Sequence, residues 1–129
     1  MSTEQRIMSL ANCVLFAAML TTTPVIAAEK RCGWLDNPTP ANWWLIDRDG
    51  EWVISIQGGD REGTYLDDSS WDNLPEIDKR KGKFVKTNNE YGYSCVCLYV
   101  ITNQDQKKII KIIGGKQLPL KTCKAIKKP

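Results

Sequence analysis

The residues best suited to chemistry are two cysteines one position apart, Cys95 and Cys97, in the run YGYSCVCLYV from Tyr91 to Val100. Thiols placed like this serve as a redox couple, as half of a metal site, or as the ends of two separate disulfides. A redox couple normally reads Cys-x-x-Cys at a helix N-terminus, where the dipole lowers the thiol pKa. Here the pair is Cys-x-Cys inside a β-branched and aromatic run, so that setting is missing. A four-cysteine metal site would also need Cys32 and Cys123, but the intervening lengths of 62, 1 and 25 residues fit no ribbon or finger. Disulfides remain. In a strand, residues i and i+2 point to one face about 6.6 Å apart, and parallel side chains disfavour a bond between them. The expectation is two bridges joining Cys95 and Cys97 to Cys32 and Cys123, in one order or the other. Both ends of the domain are then tied to one central strand.

Other chemistry is thin. The chain has no histidine, which removes Ser-His-Asp and Cys-His arrangements and most catalytic zinc sites. It has no phosphate-binding loop, dinucleotide fingerprint or nucleophile elbow. Paired carboxylates can run glycoside hydrolysis, but a stapled domain of this size rarely offers a deep substrate cleft. Asp47-x-Asp49-Gly50 has the glycine at the fourth position, too early for an EF-hand loop, and reads as a hairpin turn. Asp67, Asp68 and Asp72 specify no cation by their spacing. The expectation is a protein that is not an enzyme, with no catalytic residue, no metal and no cofactor.

The tryptophans carry the binding expectation. They are Trp34, Trp43, Trp44, Trp52 and Trp71. Trp43 and Trp44 are adjacent in a β-rich run and so face opposite sides of a sheet; one fills the core and the other is a candidate platform. Trp71, flanked by Asp67, Asp68 and Asp72 in the stretch DDSSWDN, is the expected exposed anchor. An aromatic among carboxylates suits insertion into a basic groove.

These residues need elements to position them. Leu10 to Leu20 is an apolar run, followed by Pro24 and Val25-Ile26-Ala27-Ala28. That pattern is a cleaved signal peptide over residues 1–28, cut after Ala28 and taking Cys13 with it. It is too short to span a bilayer, which needs about 20 apolar residues. Residues 29–129 then form a single disulfide-stapled domain. Trp43–Ile46 and Trp52–Ile56 read as strands joined by an Asp-Gly hairpin, with Gly50 supplying positive φ. Asn37-Pro38-Thr39-Pro40 reads as a rigid turn or extended segment before them. Tyr91–Thr102 and Lys107–Ile113 form a second hairpin, Gly114-Gly115 marks a bend or bulge, and a last short strand runs towards Cys123. Residues 60–83 form a long acidic loop with one helical turn near Ser69 or Ser70, pinned to the body by Trp71 and Leu74. Lys124–Pro129 reads as a frayed tail. The fold class is all-β, or β-rich α+β: a small antiparallel sheet or barrel-like domain of five or six strands with two disulfides.

Charge is divided along the chain. Asp36 to Asp78 holds eleven acidic and two basic residues, whereas Lys79 to Pro129 holds thirteen basic and two acidic ones. The basic half is lysine-rich with little aromatic interleaving, which argues against nucleic acid as a partner.

The segments RCGWLDNPTPANWWLIDRDGEW, QGG and YGYSCVCL, with Cys123 after them, resemble the DUF4087 family of small exported bacterial proteins over Arg31 to Cys123. Residues 60–83 lie outside the matching blocks. The resemblance implies a bacterial envelope location, periplasmic or secreted, and carries no activity with it. The expectation for function is a non-catalytic periplasmic binding protein, an inhibitor or immunity-type protein acting on an envelope hydrolase or toxin through the acidic aromatic loop. The alternatives are a glycan- or peptidoglycan-binding module using exposed tryptophan, and a structural envelope factor. No stable membrane insertion is expected after cleavage.

Overall fold

The computed structural model describes residues 17–22, 27–59 and 66–129. Most of the expected leader, including Cys13, and residues 60–65 of the acidic loop lie outside the described residues. Six strands, one short helix and a 3-10 turn succeed one another in chain order: β1 (Glu29–Thr39), β2 (Asn42–Asp47), β3 (Gly50–Ser55), α1 (Asp68–Asn73), β4 (Val85–Asn88), β5 (Tyr91–Asn103), β6 (Lys108–Leu118) and the turn at Leu120–Cys123. The all-β expectation holds.

The sheet closes on itself. β1 pairs antiparallel with β2 on one edge and with β5 on the other. β2 continues antiparallel to β3, and β5 to β6. The last joint is parallel: Val53 lies opposite Lys108, and its N–H donates to the Lys107 carbonyl at 2.9 Å. The ring therefore runs β1-β2-β3-β6-β5 and back to β1, with β4 added beside the start of β5. A five-stranded barrel with this strand order, and with its helix between the third and fourth barrel strands, has the connectivity of an oligonucleotide/oligosaccharide-binding (OB) barrel.

Strand alternation decides what fills it. Leu35, Leu45, Trp52, Ile54, Val96, Leu98, Val100, Ile109 and Ile112 point inward and form one buried cluster. Such a cluster is the main favourable term in folding. Closure also satisfies strand edges that would otherwise stay open. Where β3 diverges from β6, α1 takes over the pairing: the Ile112 N–H donates to Ser70 Oγ at 3.0 Å, and Asn73 Nδ2 donates to the Ile112 carbonyl at 3.1 Å. Gly33 allows the tight coil of β1, because a Cβ there would lie 2.1 Å from the Ile46 carbonyl oxygen. Gly50 ends the β2–β3 turn at φ 120°, as its Asp-Gly signal predicts.

Several local expectations need correction. Glu29–Thr39, unassigned upstream, is a full strand, because partners on both edges hold it extended whatever its propensity, and of the two readings of Asn37–Thr39 the extended one holds. β6 passes through Gly114-Gly115 with a register shift opposite Tyr99 and Val100, and stops at Leu118. The chain then enters a 3-10 turn at Leu120–Cys123, where a further strand was expected. The segment after Cys123 is not frayed: Ile126 packs against the Trp34 cluster, and its carbonyl accepts the Trp34 indole N–H at 3.0 Å.

The disulfides are Cys32–Cys97 and Cys95–Cys123. Cys32 and Cys97 are direct cross-strand partners in the β1–β5 ladder. Cys95 lies two residues along on the same outer face and holds the 3-10 turn against Trp34 and Tyr93. Both ends of the domain are thus fastened to β5. Two bridges place the chain in an oxidising, non-cytoplasmic setting. Among the described residues no helix is long and apolar enough to cross a membrane.

Candidate functional site

The binding residues named from sequence do not converge on one place. Trp43, on the inward face of β2, meets the Trp71 ring edge-on with centroids 5.8 Å apart, and both pack against the barrel core. Trp71 is therefore not the exposed anchor its acidic neighbours suggested. The six-residue helix lies against β6, and Trp71 within it packs on the core together with Leu74 and Ile77 just after it. Asp67 is the N-cap of α1 and accepts the Ser70 N–H at 2.8 Å and the Ser69 hydroxyl at 3.1 Å. Its bond with Ser70 is the main reason its pKa is lowered. Asp68 and Asp72 stay exposed on α1. Among the described residues, no group of three or more acidic, cysteine or histidine side chains is placed to hold a metal ion.

At one end of the barrel lies a buried charged cluster. The Arg31 guanidinium sits 3.8 Å from the centroid of the Trp52 ring and donates to Asp47 (2.8 Å), Asp49 (3.0 Å) and Glu29 (3.0 Å). Asp47 also accepts the Trp52 indole N–H at 3.1 Å and the Asp49 N–H at 2.8 Å. The Asp-x-Asp-Gly segment is thus a hairpin turn whose first aspartate is committed to protein donors. Burial by itself would lower the pKa of Arg31, but its bonds to Asp47, Asp49 and Glu29 outweigh this and raise it. The cluster stitches β1, the β2–β3 turn and β5 together, the last through the Thr102 hydroxyl, which donates to Glu29. Most of its groups are spent on one another, although the buried Arg31 Nε has no hydrogen-bond partner.

The outer face of β2 and β3 is different. Trp44 points outward there, half-buried, on the opposite side of β2 from Trp43. Across the strands it lies between Asp36 of β1 and Val53 of β3. The adjacent row reads Trp34, Ile46 and Glu51. Beside these rows a groove of about 580 Å³ runs between the β2–β3 hairpin, with Ile46 and Glu51, and the C-terminal segment, with Ile126, Lys127 and Lys128. Burial, and then the nearby Glu51 charge, raise the pKa of Asp36.

The face therefore combines an aromatic surface, two carboxylate acceptors and a lysine-bearing wall. An indole face takes the C–H side of a ring, while carboxylates accept from hydroxyls. In OB barrels the outer face of the second and third strands is the usual ligand platform. Of the six binding candidates Trp43, Trp44, Trp71, Asp67, Asp68 and Asp72, Trp44 alone lies on this platform. Asp36, Glu51 and Ile46 were missed, although outward alternation from Trp44 would have found Ile46.

A family model described as a protein of unknown function (DUF4087) matches residues 26–128, and the chain belongs to that family. No curated protein and no solved structure matches it.

Proposed function

We propose that this member of the DUF4087 family is a non-catalytic glycan-binding protein, exported to the bacterial periplasm or beyond, that holds its ligand on the outer face of β2 and β3. The observation that carries the reading is Trp44: a half-exposed indole between Asp36 and Val53, beside a groove of about 580 Å³. Trp43 packs inward against the core, whereas Trp44, on the opposite face, packs in neither buried cluster. A sugar ring stacked on Trp44 brings its hydroxyls to Asp36 and Glu51, which have acceptor capacity to offer. Envelope glycans such as peptidoglycan strands supply such rings in the oxidising compartment that the disulfides require.

The test is co-sedimentation with purified sacculi, together with titration of soluble peptidoglycan fragments followed by tryptophan fluorescence. Wild type should bind. Trp44→Ala should lose binding while keeping the fold, and Trp52→Phe should keep binding, because Trp52 lies inside the barrel. Equal binding by wild type and Trp44→Ala, or no binding by either, would end the proposal.

A second reading, an inhibitor or immunity-type protein acting on an envelope hydrolase or toxin, is favoured by the exposed Asp68 and Asp72 on α1. Its contact is the acidic face of the helix, not Trp71, whose ring is engaged with Trp43. Pull-down from periplasmic extract with Asp68→Lys/Asp72→Lys separates it from the first: loss of a partner that Trp44→Ala retains would favour this surface.

A further inference from the structure

The C-terminal segment has a second flank. On the side away from the β2–β3 groove, a depression of about 280 Å³ is floored by Trp34, Tyr93, Val85 and Leu120 and rimmed by Lys121, Lys124 and Lys128. The floor is built from covalently anchored parts. The Cys95–Cys123 bridge holds the 3-10 turn that contributes Leu120, and the Trp34 indole bond to the Ile126 carbonyl fixes the segment bearing Lys124 and Lys128. The Trp34 and Tyr93 rings stand edge to face, centroids 5.3 Å apart. A site preorganised in this way loses little entropy when it is filled.

The three lysines are exposed. Elsewhere Lys83 and Lys86 pair with Asp78 and Glu90. Among the described residues Lys121, Lys124 and Lys128 have no carboxylate within ion-pair distance. An apolar floor under three uncompensated cations is unsuited to a neutral hydrocarbon, which has no use for the charge. It is equally unsuited to a bare anion, which gains nothing from the floor. Apart from the Tyr93 hydroxyl, the floor offers no free polar side-chain group to read a base or a sugar.

We infer that this depression binds an amphipathic anion, a single monoacyl lipid with a phosphate head, its chain against Val85 and Leu120 above the buried Trp34 and Tyr93 rings and its head among Lys121, Lys124 and Lys128. The concavity suits one molecule rather than a bilayer, which is engaged by protruding apolar side chains. Lys128 also borders the β2–β3 groove, so the two sites are told apart by Lys121 and Lys124, which line the depression and not the groove.

The probe is dodecyl phosphate, kept below its micellar concentration and titrated into ¹⁵N-labelled full-length protein. The comparators are inorganic phosphate, dodecyl maltoside and phosphatidylglycerol vesicles. Dodecyl phosphate should shift the Trp34 indole resonance and the Tyr93 and Leu120 amides. Lys121→Gln/Lys124→Gln should weaken its binding by about tenfold or more, with the rest of the spectrum unchanged because both positions are exposed. Equal affinity for dodecyl maltoside or for inorganic phosphate would overturn the assignment. So would shifts elsewhere, full affinity in the double variant, or binding to vesicles without binding to the monomeric probe.

Discussion

The two disulfides allow a quantitative prediction, because they close loops of different length that barely overlap. Cys32–Cys97 spans 65 residues and Cys95–Cys123 spans 28, and the loops share only residues 95–97. Chain-entropy bookkeeping assigns about 4.3 kcal/mol to the first and about 3.6 kcal/mol to the second, lost from the unfolded ensemble when each bond is cut. The native consequences differ. β1 and β5 pair from Glu29 opposite Val100 to Asn37 opposite Gly92, on both sides of the Cys32–Cys97 bridge. Cys32→Ala/Cys97→Ala should therefore keep the native barrel and unfold at lower urea, still in one transition. Cys95→Ala/Cys123→Ala should in addition loosen the 3-10 turn and the segment carrying Ile126, which exposes the Trp34 indole N–H to exchange. Removing both bridges should cost about 8 kcal/mol, a large share of a typical domain stability of about 5–15 kcal/mol. The assay is urea denaturation followed by tryptophan fluorescence, paired with hydrogen exchange at the Trp34 indole. A loss of less than about 1 kcal/mol in Cys32→Ala/Cys97→Ala would refute the unfolded-chain account. Unchanged indole protection in the other variant would refute the clamp.

Three further outcomes rest on the same structure. Gly33→Ala should cost about 1–3 kcal/mol in denaturant titration, because the added Cβ meets the Ile46 backbone at 2.1 Å and β1 must move to admit it. Arg31→Met should cost about 3 kcal/mol, since it strands the buried Asp47 carboxylate, and Arg31→Met/Asp47→Asn should recover part of that loss. Burial, followed by the Glu51 charge, raises the folded-state pKa of Asp36 above its unfolded value, so the folded chain binds the Asp36 proton more tightly. The Asp36 contribution therefore falls as pH rises from the ordinary aspartate range through the raised folded pKa. Asp36→Asn should remove that part of the pH dependence and match or exceed wild-type stability at neutral pH, as read from melting temperatures across the pH series.

Short-range signals were legible where one local rule dominated. The Asp47–Gly50 turn, the split of Trp43 and Trp44 to opposite faces, the helical turn near Ser69 or Ser70 and the long strand at Tyr91 all follow from turn chemistry, alternation or composition within a few residues. The shared face of Cys95 and Cys97 follows from period-two geometry, so their pairing with distant partners could be expected although the order could not. Exposure was harder. Trp71 looks exposed because it is surrounded by carboxylates, yet on a single helical turn those carboxylates point to water while the indole points to Trp43.

The amino-acid sequence by itself determined the disulfide framework, the β-rich character, the family and the absence of histidine chemistry. Each of these is written in residue type and local spacing. Tertiary structure alone decided that the sheet closes into a barrel, that Cys32 takes Cys97 and Cys123 takes Cys95, and that Trp44 rather than Trp71 faces outward beside a groove. The physical reason is that closure rests on a parallel contact between residues 53 and 108 and on a helix that completes the edge of β6. Such contacts join distant parts of the chain, and a strand's local alternation carries no record of which strand will lie beside it.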